Sequence, residues 1–503
     1  MKKLMTMFVM IMLSIFLMSC GNDEEEVIIT SLDFMETYPN HDNYYQIFIR
    51  SFADSDGDGI GDLKGIEQNL DYIQTIGATA IWLTPFHPSN SYHGYGVTDY
   101  YDVHEDFGAL DDLQSLINSA SDLGIDIMMD LVINHSSDQH PWYQDALGNP
   151  SSPYYEYYYF NGNLNAYSSF VGGLVDFNPT HEAFKDEVKN MLDFYVNMGI
   201  KKFRLDAAKH FFDKPGLTGI DINAGLYILE YNAYLKNNYG DDTLIVSEVF
   251  DDSSFVRYSS YLIGSDSVFN FFGMSHVENK VGLQTSRSYY VSILDRFYND
   301  MEQAKPGYID SLFLSNHDID RLTSRITNEY ARKQAVRAML LLPGNPYLYY
   351  GEELDMIGVR REGVEVSGYG TAYDEFRRTA FLWGDERETS WFPDTQNVDV
   401  PDVDEQRSDD MSMYHVYREF FQLRLDYPAL MFGGLTPYEH NDYNIQGYYR
   451  TFTEDDFTQT VLVIHNIDNQ PQTMAPIDGA TILYGQYEMT AYDTLVLLVS
   501  EAS

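Results

Sequence analysis

The sequence predicts an α/β protein: a (β/α)8 TIM barrel with a small subdomain inserted after strand 3 and a C-terminal antiparallel β-domain. Three observations point there. Short apolar, β-rich runs alternate with segments of helical spacing between residues 44 and 350, the pattern of a parallel sheet covered by helices. One connection, from about residue 137 to 178, is rich in Ser, Tyr, Asn and Gly and far exceeds the usual βα loop of about 2–6 residues. After residue 430 the pattern changes to short strands separated by turns.

The expected barrel strands cover 44–49, 80–86, 126–134, 201–207, 244–250, 267–272, 311–316 and 347–350. Several are almost continuously apolar, as strands buried on both faces require. Between them, Leu63, Ile66, Leu70, Ile73 and Ile76 recur at helical spacing, as do Leu110, Leu113, Leu116, Ile117, Ala120 and Leu123. Phe184, Val188, Met191, Leu192 and Tyr195 form a third such face, stopped by Gly199. A second long loop runs from 351 to about 403, and a helix is expected over 411–425. The expected division is 1–19 signal segment, 20–36 tether, 37–136 first part of the barrel, 137–178 inserted subdomain, 179–430 remainder of the barrel and 431–503 β-domain.

Composition narrows the function. Of 503 residues, 44% are apolar and 21% charged, which excludes low-complexity disorder and collagen. The net charge of −46 repels phosphate backbones and argues against nucleic acid as a partner. A neutral or cationic ligand suits it better. With one cysteine, no intrachain disulfide framework exists. Nothing in the sequence calls for a second copy, and a monomer is expected.

At the N-terminus, Lys2 and Lys3 precede a mostly apolar run ending at Met18, shorter than the about 20 residues of a membrane span. Cys20 follows Leu17-Met18-Ser19. This resembles a bacterial lipobox, in which the thiol is lipidated and becomes the first mature residue. The acidic stretch Gly21-Asn22-Asp23-Glu24-Glu25-Glu26 then reads as a flexible tether. The expectation is an exported lipoprotein, held to a lipid bilayer by its anchor alone.

In barrels of this type functional side chains sit at the C-terminal ends of the strands. Four expected strand ends carry polar clusters that packing does not require. Strand three ends Asp130-Leu131-Val132-Ile133-Asn134-His135. Strand four reads Phe203-Arg204-Leu205-Asp206-Ala207-Ala208-Lys209-His210. Strand five ends Val246-Ser247-Glu248, and strand seven ends Leu314-Ser315-Asn316-His317-Asp318. Convergence of Asp206, Glu248 and Asp318 at one mouth would raise one carboxyl pKa through repulsion and desolvation. A nucleophile and a proton donor side by side are what glycoside hydrolysis needs. Arg204, two residues before Asp206, points to the same side and favours its ionised form. An accidental ion pair between these two would predict no matching carboxylates on other strands.

These four segments, in this order, resemble the signature regions of the α-amylase superfamily of glycoside hydrolases, over nearly the whole chain from about Tyr38. The resemblance implies that Asp206 is the nucleophile, Glu248 the general acid/base and Asp318 the transition-state stabiliser. It implies that His135 and His317 bind sugar hydroxyls, that Tyr95 in Tyr92-His93-Gly94-Tyr95 is the aromatic platform under the sugar, and that Arg321 braces the site. Lys209 and His210 match a Lys-His pair that contacts sugars on the leaving-group side. The loop Asp54-Ser55-Asp56-Gly57-Asp58-Gly59-Ile60-Gly61-Asp62 alternates carboxylates along a Gly-rich turn, as Ca2+ prefers. It is similar to the calcium loop of oligo-1,6-glucosidase and related α-amylases, which implies ligands at Asp54, Asp56, Asp58 and Asp62 and the Ile60 carbonyl. A second family calcium, between barrel and insertion, uses the position of Asn134, for which the sequence offers no matching aspartate partner.

Exo-acting α-glucosidases usually place an Asp three residues before the platform tyrosine, where this chain has Tyr92. That suits an open cleft. The chain is most similar to α-amylases intermediate between oligo-1,6-glucosidase and neopullulanase. The expectation is a retaining enzyme cutting internal α-1,4 bonds of starch, maltodextrin or related α-glucans. An α-glucosidase, a neopullulanase or a 4-α-glucanotransferase would use the same residues. An inactive starch-binding lipoprotein is the reading from another class.

Overall fold

The computed structural model describes residues 29–160, 165–252, 254–285, 289–361 and 363–502. The expected signal segment 1–19 and Cys20 lie outside the described residues. Eight parallel strands form one sheet: β1 (Tyr44–Ile47), β2 (Ala80–Leu83), β3 (Asp126–Leu131), β4 (Lys202–Leu205), β5 (Leu244–Ser247), β6 (Ser267–Val268), β7 (Ser311–Phe313) and β8 (Asn345–Tyr349). Their order is β6-β5-β4-β3-β2-β1-β8-β7. The ring is completed between β6 and β7 by a parallel bridge from Phe269 to Ser311 and by the Asn270 N–H donating to the Ser311 carbonyl at 2.9 Å.

Alternation along the strands explains the apolar runs. Tyr44, Ala80, Trp82, Met128, Leu244, Val246, Phe269, Phe313 and Tyr347 belong to one buried cluster inside the barrel. Their neighbours Tyr45, Ile81, Leu83, Met129, Phe203 and Ile245 belong to the larger cluster that meets the helices. Tyr44 and Tyr347 stack at 4.3 Å between ring centroids, filling the interior that a closed eight-stranded sheet leaves.

All eight strands fall where expected, but most are shorter. β3 stops at Leu131 because the chain then turns into the insertion. β4 stops before Asp206, where Ala207 takes a φ of +50°. β6 keeps only two ladder residues, and a helix begins at Phe271. The helical face of residues 63–76 is two helices, Leu63–Gln68 and Leu70–Ile76, broken at Asn69. The Glu182–Met198 helix ends on Gly199 with φ +113°, as a left-handed cap requires.

The insertion is pinned at its base by antiparallel pairing of His135–Ser137 with Leu174–Asp176. The long loop after β8 contains a short hairpin, Val364–Val366 with Gly370–Ala372. Beyond the helix Met413–Asp426, β9 (Gly434–Tyr438), β10 (Ile445–Glu454), β11 (Phe457–Asn466), β12 (Thr481–Tyr484) and β13 (Asp493–Ala502) form an antiparallel sheet ordered β9-β10-β11-β13-β12. Residues 31–34, expected within the tether, are folded: Ser31–Phe34 is a 3-10 turn, and Phe34 packs edge-on against Phe432 and Phe452. No helix among the described residues is long and apolar enough to cross a membrane.

Candidate active site

One guanidinium organises the C-terminal mouth of the barrel. Arg204, at the inward-facing end of β4, is fully buried. Its Nη1 donates to Asp130 Oδ1 and to Asp206 Oδ1, both at 2.7 Å. Its Nη2 lies 3.0 Å from Glu248 Oε2. The strained Ala207 turns its N–H towards Glu248, donating to Oε2 at 2.9 Å. A non-glycine residue in the left-handed region costs about 1–2 kcal/mol, and here that conformation ties the end of β4 to the end of β5.

The second arm of the site runs through His317. Tyr95 Oη donates to Asp130 Oδ2 at 2.9 Å and lies 2.6 Å from His317 Nε2. The two rings are nearly parallel at 5.5 Å. Gly94 makes this placement possible: its φ is +86°, and a Cβ there would stand 2.6 Å from the Pro85 carbonyl oxygen. His317 Nε2 is 3.1 Å from Asp318 Oδ2. Asp318 Oδ1 accepts from Arg378 Nη2 at 2.9 Å, and its side chain is 39% exposed to the cleft. The sequence-predicted Asp206, Glu248, Asp318, Arg204, His317 and Tyr95 are therefore joined in one network.

Three carboxylates around one cation cannot all stay ionised in a buried site. Burial pushes Asp206 and Glu248 up, and Arg204 pulls both down. Burial carries Asp130 up to about 7 against the same guanidinium. Asp318 goes the other way. Burial opposes its charge, but His317, then Arg378 and Arg204, hold it well below the usual carboxylate range. His135 is buried at the foot of the insertion and pushed down to about 4 by desolvation, with Asp176 opposing, so it is a neutral imidazole at pH 7. Its Nε2 has no hydrogen-bond partner among the described residues.

Other expected residues sit elsewhere. Arg321 is fully buried. It donates to the Tyr350 carbonyl at 2.7 Å and lies over the rings of Tyr349 and Tyr350. It stands behind the site rather than on its surface, because the chain turns away after Asp318. The Asp318 carboxylate is held instead by Arg378, from the long loop after β8, whose neighbour Arg377 donates to the Asp318 carbonyl at 2.6 Å. The same Arg378 nitrogen pairs with Asp374 at 2.6 Å, and Asp374 also accepts from the Tyr92 hydroxyl. The sequence position without a carboxylate thus receives one from another loop. Lys209 is on the rim and donates to the Phe250 carbonyl at 3.0 Å. His210 packs edge-on against Phe170 of the insertion at 5.0 Å.

Asn134 does not face a second cation site. The Lys214 ammonium is there, buried, donating to Asp176 Oδ2 at 2.8 Å, the His210 carbonyl at 2.9 Å and Asn134 Oδ1 at 3.1 Å. This one side chain ties β3, the insertion and the segment after β4 together.

In the acidic loop, oxygens of Asp54, Asp56 and Asp58 lie within 4.8 Å of one another. Gly57 and Gly59 have φ of +86° and +91°. Asp62 departs from expectation. It accepts from Gly65 N at 2.7 Å as the cap of the helix Leu63–Gln68, and from Ser55 N and Oγ at 2.8 and 2.9 Å. It lies outside the convergent group of Asp54, Asp56 and Asp58 and closes the loop through these bonds. The Ile60 N–H donates to Asp58 Oδ1 at 2.7 Å. Three converging hard oxygens fit a calcium ion.

Sequence reasoning missed Asp130, Arg378, Asp374 and Lys214. Asp130 carried a signal, an acid on the inward face of an apolar strand. The other three lie in loops whose local sequence says nothing about which strand end they reach.

The sequence matches the family described as Alpha amylase, catalytic domain, over residues 46–166 and 161–433. It is 31% identical to Alpha-amylase 3 of Dictyoglomus thermophilum across 94% of this chain and 95% of that one. It is 26% identical to an oligo-1,6-glucosidase of Parageobacillus thermoglucosidasius across 86% and 91%. A crystal structure of the α-amylase from H. orenii superposes with a TM-score of 0.76 at 28% identity, over 92% of this chain and all of that one. With the barrel, the strand-end carboxylates and these matches together, the chain belongs to the α-amylase catalytic-domain family of glycoside hydrolases.

Proposed function

We propose that this enzyme hydrolyses internal α-1,4-glucosidic bonds of starch, maltodextrin or related α-glucans with retention of configuration. The observation that carries this reading is the pair Asp206 and Glu248 hung from the two terminal nitrogens of one guanidinium. Carboxyls about 5–5.5 Å apart serve double displacement, whereas inverting enzymes leave about 6.5–9.5 Å for a water. Bonds from neighbouring nitrogens of one guanidinium to both groups support the close arrangement.

The chemistry follows from the charges. Asp206 has the shorter bond to Arg204 and attacks the anomeric carbon as a carboxylate. Glu248 holds the site's proton: Arg204 and Ala207 both bind Oε2, and neither uses Oε1, which delivers the proton to the leaving glycosidic oxygen. After the glycosyl-enzyme forms, the Glu248 carboxylate takes a proton from a water whose oxygen bonds to the anomeric carbon as the bond to Asp206 breaks. Asp318, held ionised beside His317, binds sugar hydroxyls most strongly as the ring flattens. Tyr95 supports the apolar face of the sugar.

Internal attack is supported by the partly exposed Lys209 and His210 beyond the nucleophile, which offer contacts to sugars on the leaving-group side. A second reading, an α-glucosidase, has one observation in its favour: Asp374 reaches the position where a chain-end carboxylate would stand. Product analysis on maltoheptaose and amylose separates the two. Early internal scission supports the proposal, and glucose released alone from chain ends rejects it. We further propose that Asp54, Asp56 and Asp58 hold a structural Ca2+, and that the enzyme is exported and anchored by lipid on Cys20. Labelling with a radioactive fatty acid, lost in Cys20→Ala, tests the anchor.

A further inference from the structure

Gln46 is an amide in an apolar place. It lies on β1 two residues after Tyr44, shares its inward face and is 1% exposed. A buried amide is costly unless hydrogen-bonded. Its Nε2 lies 2.7 Å from His317 Nδ1, so the hydrogen bond is made to the ring of a residue in the active-site network.

The partners of that ring fix its protons. On the Nε2 side stand Asp318 Oδ2 at 3.1 Å and Tyr95 Oη at 2.6 Å. An ionised carboxylate only accepts. The Tyr95 proton is committed to Asp130, so the Tyr95 oxygen is also left to accept. Nε2 must therefore carry a hydrogen. On the other side, the amide nitrogen only donates, so Nδ1 must be bare. We propose that Gln46 is a positioning residue of the active site: its amide holds His317 as the neutral tautomer protonated on Nε2, aimed at Asp318. This rests on the reading of Asp318 as a working carboxylate of the site.

The effect of the amide is electrostatic. A flipped tautomer would set a lone pair on Nε2 against Asp318 and Tyr95. An imidazolium would add a positive charge to a carboxylate already paired with Arg378. The charged and titratable groups facing His317 are Asp318, Tyr95, Arg378 and Arg204; burial lowers its pKa and Asp318 raises it. A neutral ring with one directed N–H orders Asp318 without neutralising it.

The test uses full-length protein labelled with 15N-histidine, the His317 signals being assigned by their loss in His317→Asn. Wild type at pH 7 should show the neutral Nε2-protonated pattern. Gln46→Glu, which offers an acceptor to Nδ1, should give the imidazolium pattern at the same pH. Its kcat should fall by at least about tenfold, as for other outer-shell partners, with KM changed less. A protonated Nδ1 in wild type overturns the proposal without any variant having to fold. So does a folded Gln46→Glu with an unchanged pattern. Hydrolysis surviving in Asp206→Asn would instead reject the reading of the site, a separate result.

Discussion

Arg378 donates to Asp318 Oδ1 at 2.9 Å across 60 positions of sequence. The same guanidinium lies over the ring of Tyr92 and donates through Nε to the His317 carbonyl at 2.8 Å. It thus fixes both the backbone and the charge of the strand-seven carboxylate. Arg378→Met should lower kcat/KM by about 10²-fold, the usual cost of removing one preorganised electrostatic contact. Asp318 must be ionised to act. Removing the cation raises its pKa, so the acid limb of the pH–rate profile should move to higher pH. An unchanged acid limb would show that Arg378 does not tune Asp318.

Lys214 and Asp176 are both buried at the foot of the insertion. Burial lowers the lysine pKa, and Asp176 opposes that. Lys214→Met leaves a buried carboxylate without its cation and should destabilise the fold by about 3–5 kcal/mol. Lys214→Met/Asp176→Asn should recover much of that loss, because the amide oxygen can keep accepting from Ser169 N while the amide nitrogen donates to Ser169 Oγ. Urea denaturation of the two variants measures the difference; equal stability would mean the pair is not coupled.

Much of this was legible in the sequence, and what was not has a common cause. Strand positions followed from apolar runs, since a closed parallel sheet buries both faces. Asp206, Glu248 and His317-Asp318 sat at the ends of those runs, where the fold leaves side chains free. Strand lengths were overestimated because apolar residues continue past the last ladder bond, as Val132 and Ile133 do. Arg378 was invisible for a different reason: no local pattern tells where the tip of a loop between 351 and 403 will land. Arg321 had the right spacing from Asp318, but the turn after Asp318 carried it behind the wall. Asp62 had the right residue type for a metal ligand but is spent on a helix cap.

The acidic loop is clasped to the loop after β8. Asp54 N donates to the Arg387 carbonyl at 2.9 Å, and Ser390 N donates to the Gly59 carbonyl at 2.8 Å. The next residue, Trp391, stacks on Tyr92 at 5.7 Å. Calcium at Asp54, Asp56 and Asp58 should therefore stabilise the fold by about 2.7 kcal/mol at a hundred times its Kd. Chelation should lower the melting temperature, and Asp56→Ala should melt early with no further response to chelator. Identical melting with and without chelator would remove the metal from this site.

Glu352 and Glu353, behind β8, are both raised to about 7 by burial, against hydrogen bonds from Ser315 and Tyr45. Each stays protonated in the native state between about 4.5 and 7 while the unfolded chain ionises. Native protein then binds more protons, so stability falls as pH rises through that window, by about 1.4 kcal/mol per unit for each group. Buried His135 and His465, lowered to about 4 and about 3 chiefly by burial, act oppositely below about 6.5. Relative to wild type, Glu352→Gln should make the melting temperature fall less as pH rises from about 4.5 to 7. A slope identical to wild type would mean that Glu352 is ionised in the native state.

On the proposed mechanism, Asp206 becomes covalently bonded to the sugar. Glu248→Gln, with its acid removed, should form the intermediate from an activated maltosyl fluoride and break it down slowly. Mass spectrometry of the intact protein and its peptides should then show one maltosyl adduct, mapped to Asp206. No adduct, or one on another side chain, together with product released first as the β-anomer, would contradict it.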